Sequence, residues 1–138
     1  MLAVLRADDY DFVLFLHVAG AMLLVGALVT SLVLAGTGSQ ARLTFRSLLW
    51  AAVPAWFLMR IGAELIVTKP AYENDEPAWI GIGYGTSELA GILIIIATVI
   101  AWLAARKGGS TSKPVAGLIA FTVLLSLVAV WAMTTKPG

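Results

Sequence analysis

An apolar run at residues 12–34, FVLFLHVAGAMLLVGALVTSLVL, decides the fold of this chain. A helix needs about 20 apolar residues to cross the hydrocarbon core of a bilayer, and this run is long enough. Three similar runs follow at about residues 48–67, 86–105 and 115–133. The 138 residues are therefore predicted to form one membrane domain, an all-α antiparallel bundle of four transmembrane helices.

Composition supports a membrane protein and excludes several other classes. The chain is 60% hydrophobic and 12% charged, whereas soluble domains carry about 25% charged residues. A net charge of +1 without a basic patch argues against nucleic acid as a partner. The absence of cysteine excludes disulfides, thiolate-bound metals and thiol nucleophiles. No hydrolase or kinase motif occurs, so a non-enzymatic protein is favoured. Its expected partners are the lipid bilayer and a second copy or a larger membrane complex.

Basic residues near the predicted helix ends favour one orientation in the inner (cell) membrane. The loops after the first and third helices carry five of them: Arg42, Arg46, Arg106, Lys107 and Lys113. The segments on the other side carry three: Arg6, Lys69 and Lys136. Because cytoplasmic loops are enriched in Lys and Arg, we expect these two loops in the cytoplasm and both termini outside.

Four ionisable residues fall inside the predicted spans, namely His17, Arg60, Glu64 and Glu88. A charged side chain at the bilayer centre costs about 2.5–3.5 kcal/mol on insertion scales, so each should face the bundle and find a partner. All four lie in the half of their spans that is predicted to face outward. We therefore expect them to form one polar site between the first three helices.

The Arg60–Glu64 spacing leaves more than one interpretation of this polar site. Residues four apart lie on one helix face and can form an ion pair. The pair is either a structural link that fixes helix packing or part of an outward-facing site for a ligand, an ion or a proton. The most specific version of the second interpretation is a site in which Arg60 and a protonated His17 bind an anion. A third alternative for Glu64 and Glu88 is that their side chains extend (snorkel) to the lipid headgroups. No metal site made by side chains is predicted, because Arg60 would repel a cation.

Two further patterns concern the organisation of the chain. LHVAG at residues 16–20 resembles SELAG at 87–91, and VTKP at 67–70 resembles TTKP at 134–137. These similarities are explained either by two duplicated helical hairpins or by chance. GIGYG at residues 81–85 is interpreted as a flexible loop before the third span, because it lacks the spacing of a dinucleotide-binding motif.

The first helix, FLHVAGA at residues 15–21 followed by Val25 and Gly26, resembles the opening helix of small bacterial membrane proteins. These are integral membrane proteins of unknown function related to the copper-resistance D type, and the four-helix membrane protoporphyrinogen oxidases. The resemblance implies that His17 is a ligand of haem b or of copper, with Met133 as a second haem ligand. The leading expectation is a bundle subunit or a protein that responds to a small ligand, an anion or protons. The alternative is a haem-binding membrane redox protein.

Overall fold

A computed structural model describes residues 9–67, 78–110 and 113–135 of the chain. These residues form four long helices: α1 (Asp9–Gly36), α2 (Ala41–Val67), α3 (Ala78–Arg106) and α4 (Lys113–Thr135). Each helix is long and apolar enough to cross a membrane. The prediction of an all-α bundle with four spanning helices is confirmed.

Two helices begin earlier than predicted. α2 starts at Ala41 rather than near residue 48, and α3 starts at Ala78 rather than near residue 86. The prediction of a loop at residues 81–85 was therefore wrong, because this segment lies in the first turns of α3. Helical hydrogen bonds satisfy the backbone where lipid cannot, which outweighs the low helix propensity of glycine. Gly83 also faces α4, where a β-carbon would lie 3.2 Å from Met133 Cε.

The four helices form a closed ring in which each contacts the next and α4 returns to α1. We call the half of the bundle near Asp9 and Thr135 the terminal half, and the half near the α1–α2 and α3–α4 connections the loop half. α2 and α3 pack against each other mainly in the loop half. The terminal half is consequently the part of the bundle with room between helices.

Apolar and small side chains fill the loop half. Its most deeply buried members come from all four helices: Leu28, Leu48, Ala52, Ala97, Ala101, Val115 and Ile119. The three alanines among them let the helix backbones approach closely, which membrane helices require because lipid supplies no hydrophobic driving force. Large apolar side chains such as Phe57 and Leu124 lie on the outside, where a spanning helix faces lipid.

The α1–α2 and α3–α4 connections repeat the same local structure. Gly38 and Gly108 both have positive φ angles, of 70° and 67°. In each connection the next residue donates its backbone N–H to a helix carbonyl five residues earlier, Ser39 to Leu34 and Gly109 to Ala104, both at 3.1 Å. This is the Schellman arrangement of a helix C-terminus, for which glycine is the favoured residue. The two hairpins are therefore equivalent at their turns, as the duplication hypothesis expects.

The buried positions of α1 and α3 also correspond, at a spacing of 70 residues. Leu24 matches Ile94 and Ala27 matches Ala97. At this spacing the counterpart of His17 is Ser87. The match of LHVAG at residues 16–20 to SELAG at 87–91 would instead pair His17 with Glu88.

A single π-helical turn interrupts α2 at Leu48–Ala52, where Val53 donates its N–H to the carbonyl of Leu48. Pro54 follows directly and lacks an N–H of its own, so the wider turn lies where the proline disturbs the helix. Such turns act as one-residue insertions within a helix. The distortion of α2 near Pro54 therefore takes the form of a π turn.

Candidate functional site

A cavity of about 60 Å³ lies in the terminal half, and all four helices line it. Its walls are mostly apolar, and the residues that bring polar or sulfur atoms to them are His17, Met59, Arg60, Tyr84, Thr86, Ser87, Ser126 and Met133. A cavity of this size has room for a few water molecules or a ligand of similar size. The site was expected between the first three helices, but α4 contributes to it as well.

His17 is buried at a close approach of α1 and α2. Gly62 makes this approach possible, because a β-carbon there would lie 2.8 Å from the Cα of His17. The imidazole Nδ1 lies 2.9 Å from the backbone oxygen of Met59. A carbonyl oxygen can only accept, so Nδ1 carries the hydrogen and donates it. The ring is thereby held with Nε2 directed away from the Met59 carbonyl.

The Nε2 atom of His17 lies 3.4 Å from the Sδ atom of Met133 on α4. Both residues line the cavity. The structure therefore brings together the two residues that the resemblance implied as haem ligands, although they are 116 positions apart in the chain.

Arg60 forms ion pairs with two carboxylates at the rim of the site. Its Nη1 lies 2.8 Å from Glu64 Oε1, the pair expected from the sequence, and its Nη2 lies 3.0 Å from Glu88 Oε1 on α3. The guanidinium carbon also stacks 4.2 Å from the ring centroid of Tyr84. Arg60 is only 17% exposed, whereas the carboxylate side chains of Glu64 and Glu88 are 53% and 62% exposed.

The four ionisable residues thus divide into two groups. His17 and Arg60 line the cavity, whereas Glu64 and Glu88 lie outside it and bind Arg60. One guanidinium faces two carboxylates, so this cluster has a formal charge of −1 when all three groups are ionised. An anion at Arg60 would have to displace a carboxylate and approach a cluster of its own sign.

Two residues of the cavity wall and one residue behind it were missed by reasoning from the sequence. Trp56 donates its indole N–H to the backbone oxygen of Ser87 at 2.9 Å and packs over Gly91, where a β-carbon would lie 2.5 Å from the ring. The hydroxyl of Ser87 is buried and makes no hydrogen bond with the described residues, whereas the buried hydroxyl of Tyr84 lies beside Arg60 and Glu64. Tyr84 was missed because its segment was interpreted as a loop. Ser87 and Trp56 gave no sequence signal, since neither is unusual in a membrane helix.

The arrangement does not fit a haem between His17 and Met133. A cavity of about 150 Å³ holds a single benzene molecule, and a porphyrin is much larger. Two ligands on opposite faces of one metal are separated by about 4.3 Å, the sum of metal–nitrogen and metal–sulfur bonds, and these two atoms are 3.4 Å apart. Among the described residues, no group of three or more His, Asp or Glu side chains is placed to hold a metal ion.

Comparisons with models of protein families, with curated proteins and with solved structures found no match for this chain. Fold and site together define the class, a small multi-pass membrane protein with a central cavity in one half of a four-helix bundle.

Proposed function

We propose that this protein is a non-enzymatic membrane bundle, alone or as a subunit of a larger complex, that binds a small ligand in its central cavity. The observation that carries this proposal is the buried, unpaired hydroxyl of Ser87 in the cavity wall, with the hydroxyl of Tyr84 in the same wall. A buried polar group without a partner costs about 1–3 kcal/mol, and lipid offers no replacement. A small polar occupant beside these hydroxyls and His17 would offset that cost.

The Arg60 cluster has a separate role in this proposal. It ties α2 to α3 in the half of the bundle where these helices otherwise pack sparsely. The structural link and the ligand site, which the sequence left as alternatives, are then two functions of adjacent residues. The net negative charge of the cluster favours a neutral or cationic ligand over an anion.

The proposal places the protein in the cell (inner) membrane with the terminal half facing outward. Five basic residues at the loop end against three at the other end support this orientation. The ligand would then reach the cavity from outside the cell.

Filling the cavity tests the proposal. Ala129 lines the cavity, and Ala129→Leu should occupy the space and abolish retention of a small-molecule mass in native mass spectra of protein released from nanodiscs. Ala51→Leu is the matched control, since Ala51 is exposed and remote from the cavity. Identical spectra for the parent protein and Ala129→Leu, with no retained mass in either, would contradict ligand binding.

The haem alternative has one observation in its favour, the fixed orientation of His17 towards Met133. It requires the cavity walls to move apart, because the present volume is far too small. We expect protein purified from haem-replete cells to be colourless. A Soret band that disappears in His17→Ala would instead establish the haem-binding function.

A further inference from the structure

The loop end of the bundle, at the α1–α2 and α3–α4 connections, carries exposed basic side chains and no acidic one. The basic residues are Arg42, Arg46, Arg106, Lys107 and Lys113, which we call the loop-end basic surface. The sequence has no Asp or Glu at residues 12–63 or 89–138, which include this whole end. Among the described residues, none of the five basic side chains forms an ion pair. Their positive charge is therefore uncompensated within the bundle.

The fold joins the two connections, so that the charges of both belong to one surface. Ala41 donates its backbone N–H to the oxygen of Gly109 at 3.2 Å, and Gln40 and Ser110 form an antiparallel bridge. Arg42 directly follows Ala41, and Lys107 lies two residues before Gly109. Basic residues that are far apart in the chain are thereby placed side by side.

The first turns of α2 direct two arginines away from the bundle. Ala41, Thr44 and Leu48 are fully buried on the packed face of this segment, whereas Arg42 and Arg46 are exposed. Residues four apart are neighbours on a helix surface, and like charges at this spacing repel each other. An anion close to both guanidinium groups would lower that repulsion.

Two tryptophans place the loop-end basic surface at the edge of the membrane. The ring centroid of Trp102 lies 4.9 Å from the guanidinium carbon of Arg106, and Trp102 is exposed on the outside of α3. Trp50 is 75% exposed and lies about one turn after Arg46 on α2. Because tryptophan is enriched at the depth of the lipid headgroups, the basic residues lie level with the headgroup phosphates.

We propose that the loop-end basic surface binds the headgroup of an anionic phospholipid. Clusters of about four to eight Lys and Arg beside a membrane helix recognise such headgroups. Arginine also presents a planar fork of N–H donors that matches the oxygens of a phosphate. A zwitterionic headgroup fits less well, because its own cation would face the basic residues. This proposal is independent of ligand binding in the cavity, which lies in the other half of the bundle.

Native mass spectrometry of the full chain in detergent measures the binding of added lipid. Phosphatidylglycerol is the anionic probe and phosphatidylcholine the zwitterionic one, and we expect the parent to bind phosphatidylglycerol at least tenfold more tightly. The double variant Arg42→Gln, Lys107→Gln removes one charge from each connection. It should bind phosphatidylglycerol roughly 25-fold more weakly, since each basic residue near an anionic surface contributes about fivefold in affinity.

Two matched variants separate local charge from other effects. Lys69→Gln, Lys136→Gln removes the same charge from residues outside the described ranges, which belong to the segments at the other end of the bundle, and should bind as the parent does. The exchange Arg42→Lys, Lys107→Arg keeps both charges and should retain most of the affinity for phosphatidylglycerol.

Four results would overturn the proposal. They are equal affinity of the parent for the two lipids, equal losses in the two charge-neutralised double variants, displacement of phosphatidylglycerol by an equal concentration of inorganic phosphate, and tighter binding of a poly-glutamate peptide than of phosphatidylglycerol. The last two would assign the surface to a free anion or to an acidic partner protein. None of them affects the test with Ala129→Leu, so the two proposals fail independently.

Discussion

At the scale of single residues, Arg60 is the group whose environment is most specific. It lies in a span, is largely buried, and combines two carboxylate contacts with stacking on Tyr84. Each exposed carboxylate is a modest contributor, since a solvent-exposed ion pair is worth up to about 1 kcal/mol. Together they have a larger effect, because without both the guanidinium is a buried charge with no counter-charge in contact.

Neutralising the two acids should therefore be non-additive. We expect Glu64→Gln and Glu88→Gln to lower the free energy of unfolding by about 1 kcal/mol or less each. The double variant should lose about 3 kcal/mol, because Arg60 then has neither partner. Unfolding in graded SDS measures all three. A double variant that loses only the sum of the single losses would show that Arg60 does not depend on the pair.

At the scale of helices, the α1–α2 crossing positions His17. A β-carbon on Gly20 would overlap the backbone of Met59, and one on Gly62 would lie 2.7 Å from the backbone nitrogen of His17. The two glycines thus allow a backbone-to-backbone approach of the kind that membrane helices use. The same approach brings the Met59 carbonyl within hydrogen-bonding distance of the imidazole.

Adding one methyl group at this crossing should separate the helices. We expect Gly62→Ala to destabilise the protein by about 1–3 kcal/mol through overpacking and to alter the ¹⁵N signals of His17. Gly26→Ala is the control on α1, where a β-carbon meets nothing within 4 Å. That substitution should be neutral or stabilise by about 0.5–1 kcal/mol, since alanine is the better helix former. Equal unfolding free energies and unchanged His17 signals in both variants would refute the close crossing.

At the scale of the whole molecule, the bundle is asymmetric along its axis. The loop half is packed with apolar side chains and ends in basic residues, whereas the terminal half holds the cavity and the Arg60 cluster. Arg106 at the loop end lies with its guanidinium carbon 4.9 Å from the ring centroid of Trp102, a pairing suited to a membrane interface. This asymmetry means that orientation decides which compartment the cavity faces.

Single-cysteine labelling tests that orientation cleanly, because the chain has no cysteine of its own. Ser110→Cys lies at the loop end, and Asn74→Cys lies in the α2–α3 connection outside the described residues. In intact cells an impermeant thiol reagent should label Asn74→Cys and not Ser110→Cys. The reverse labelling would put the terminal half, and with it the cavity, on the cytoplasmic side.

The sequence by itself determined the membrane class, the four helices and the Arg60–Glu64 pair. Run length against bilayer thickness identifies a spanning helix, and a spacing of four residues places two side chains on one helix face. Both are local properties of the chain. The same local view misplaced residues 81–85, because glycine-rich segments resemble loops until a neighbouring helix packs against them.

Only the tertiary structure decided which polar residues meet. It brought Met133 to His17, attached Glu88 to Arg60 rather than to the cavity, and buried the hydroxyl of Ser87. These outcomes depend on how far each helix is rotated about its axis and how closely it crosses the next. Close packing at residues such as Gly20, Gly62 and Gly91 sets both the rotation and the crossing distance. An apolar sequence surrounded by lipid carries little information about these two quantities, because each face of the helix is compatible with lipid.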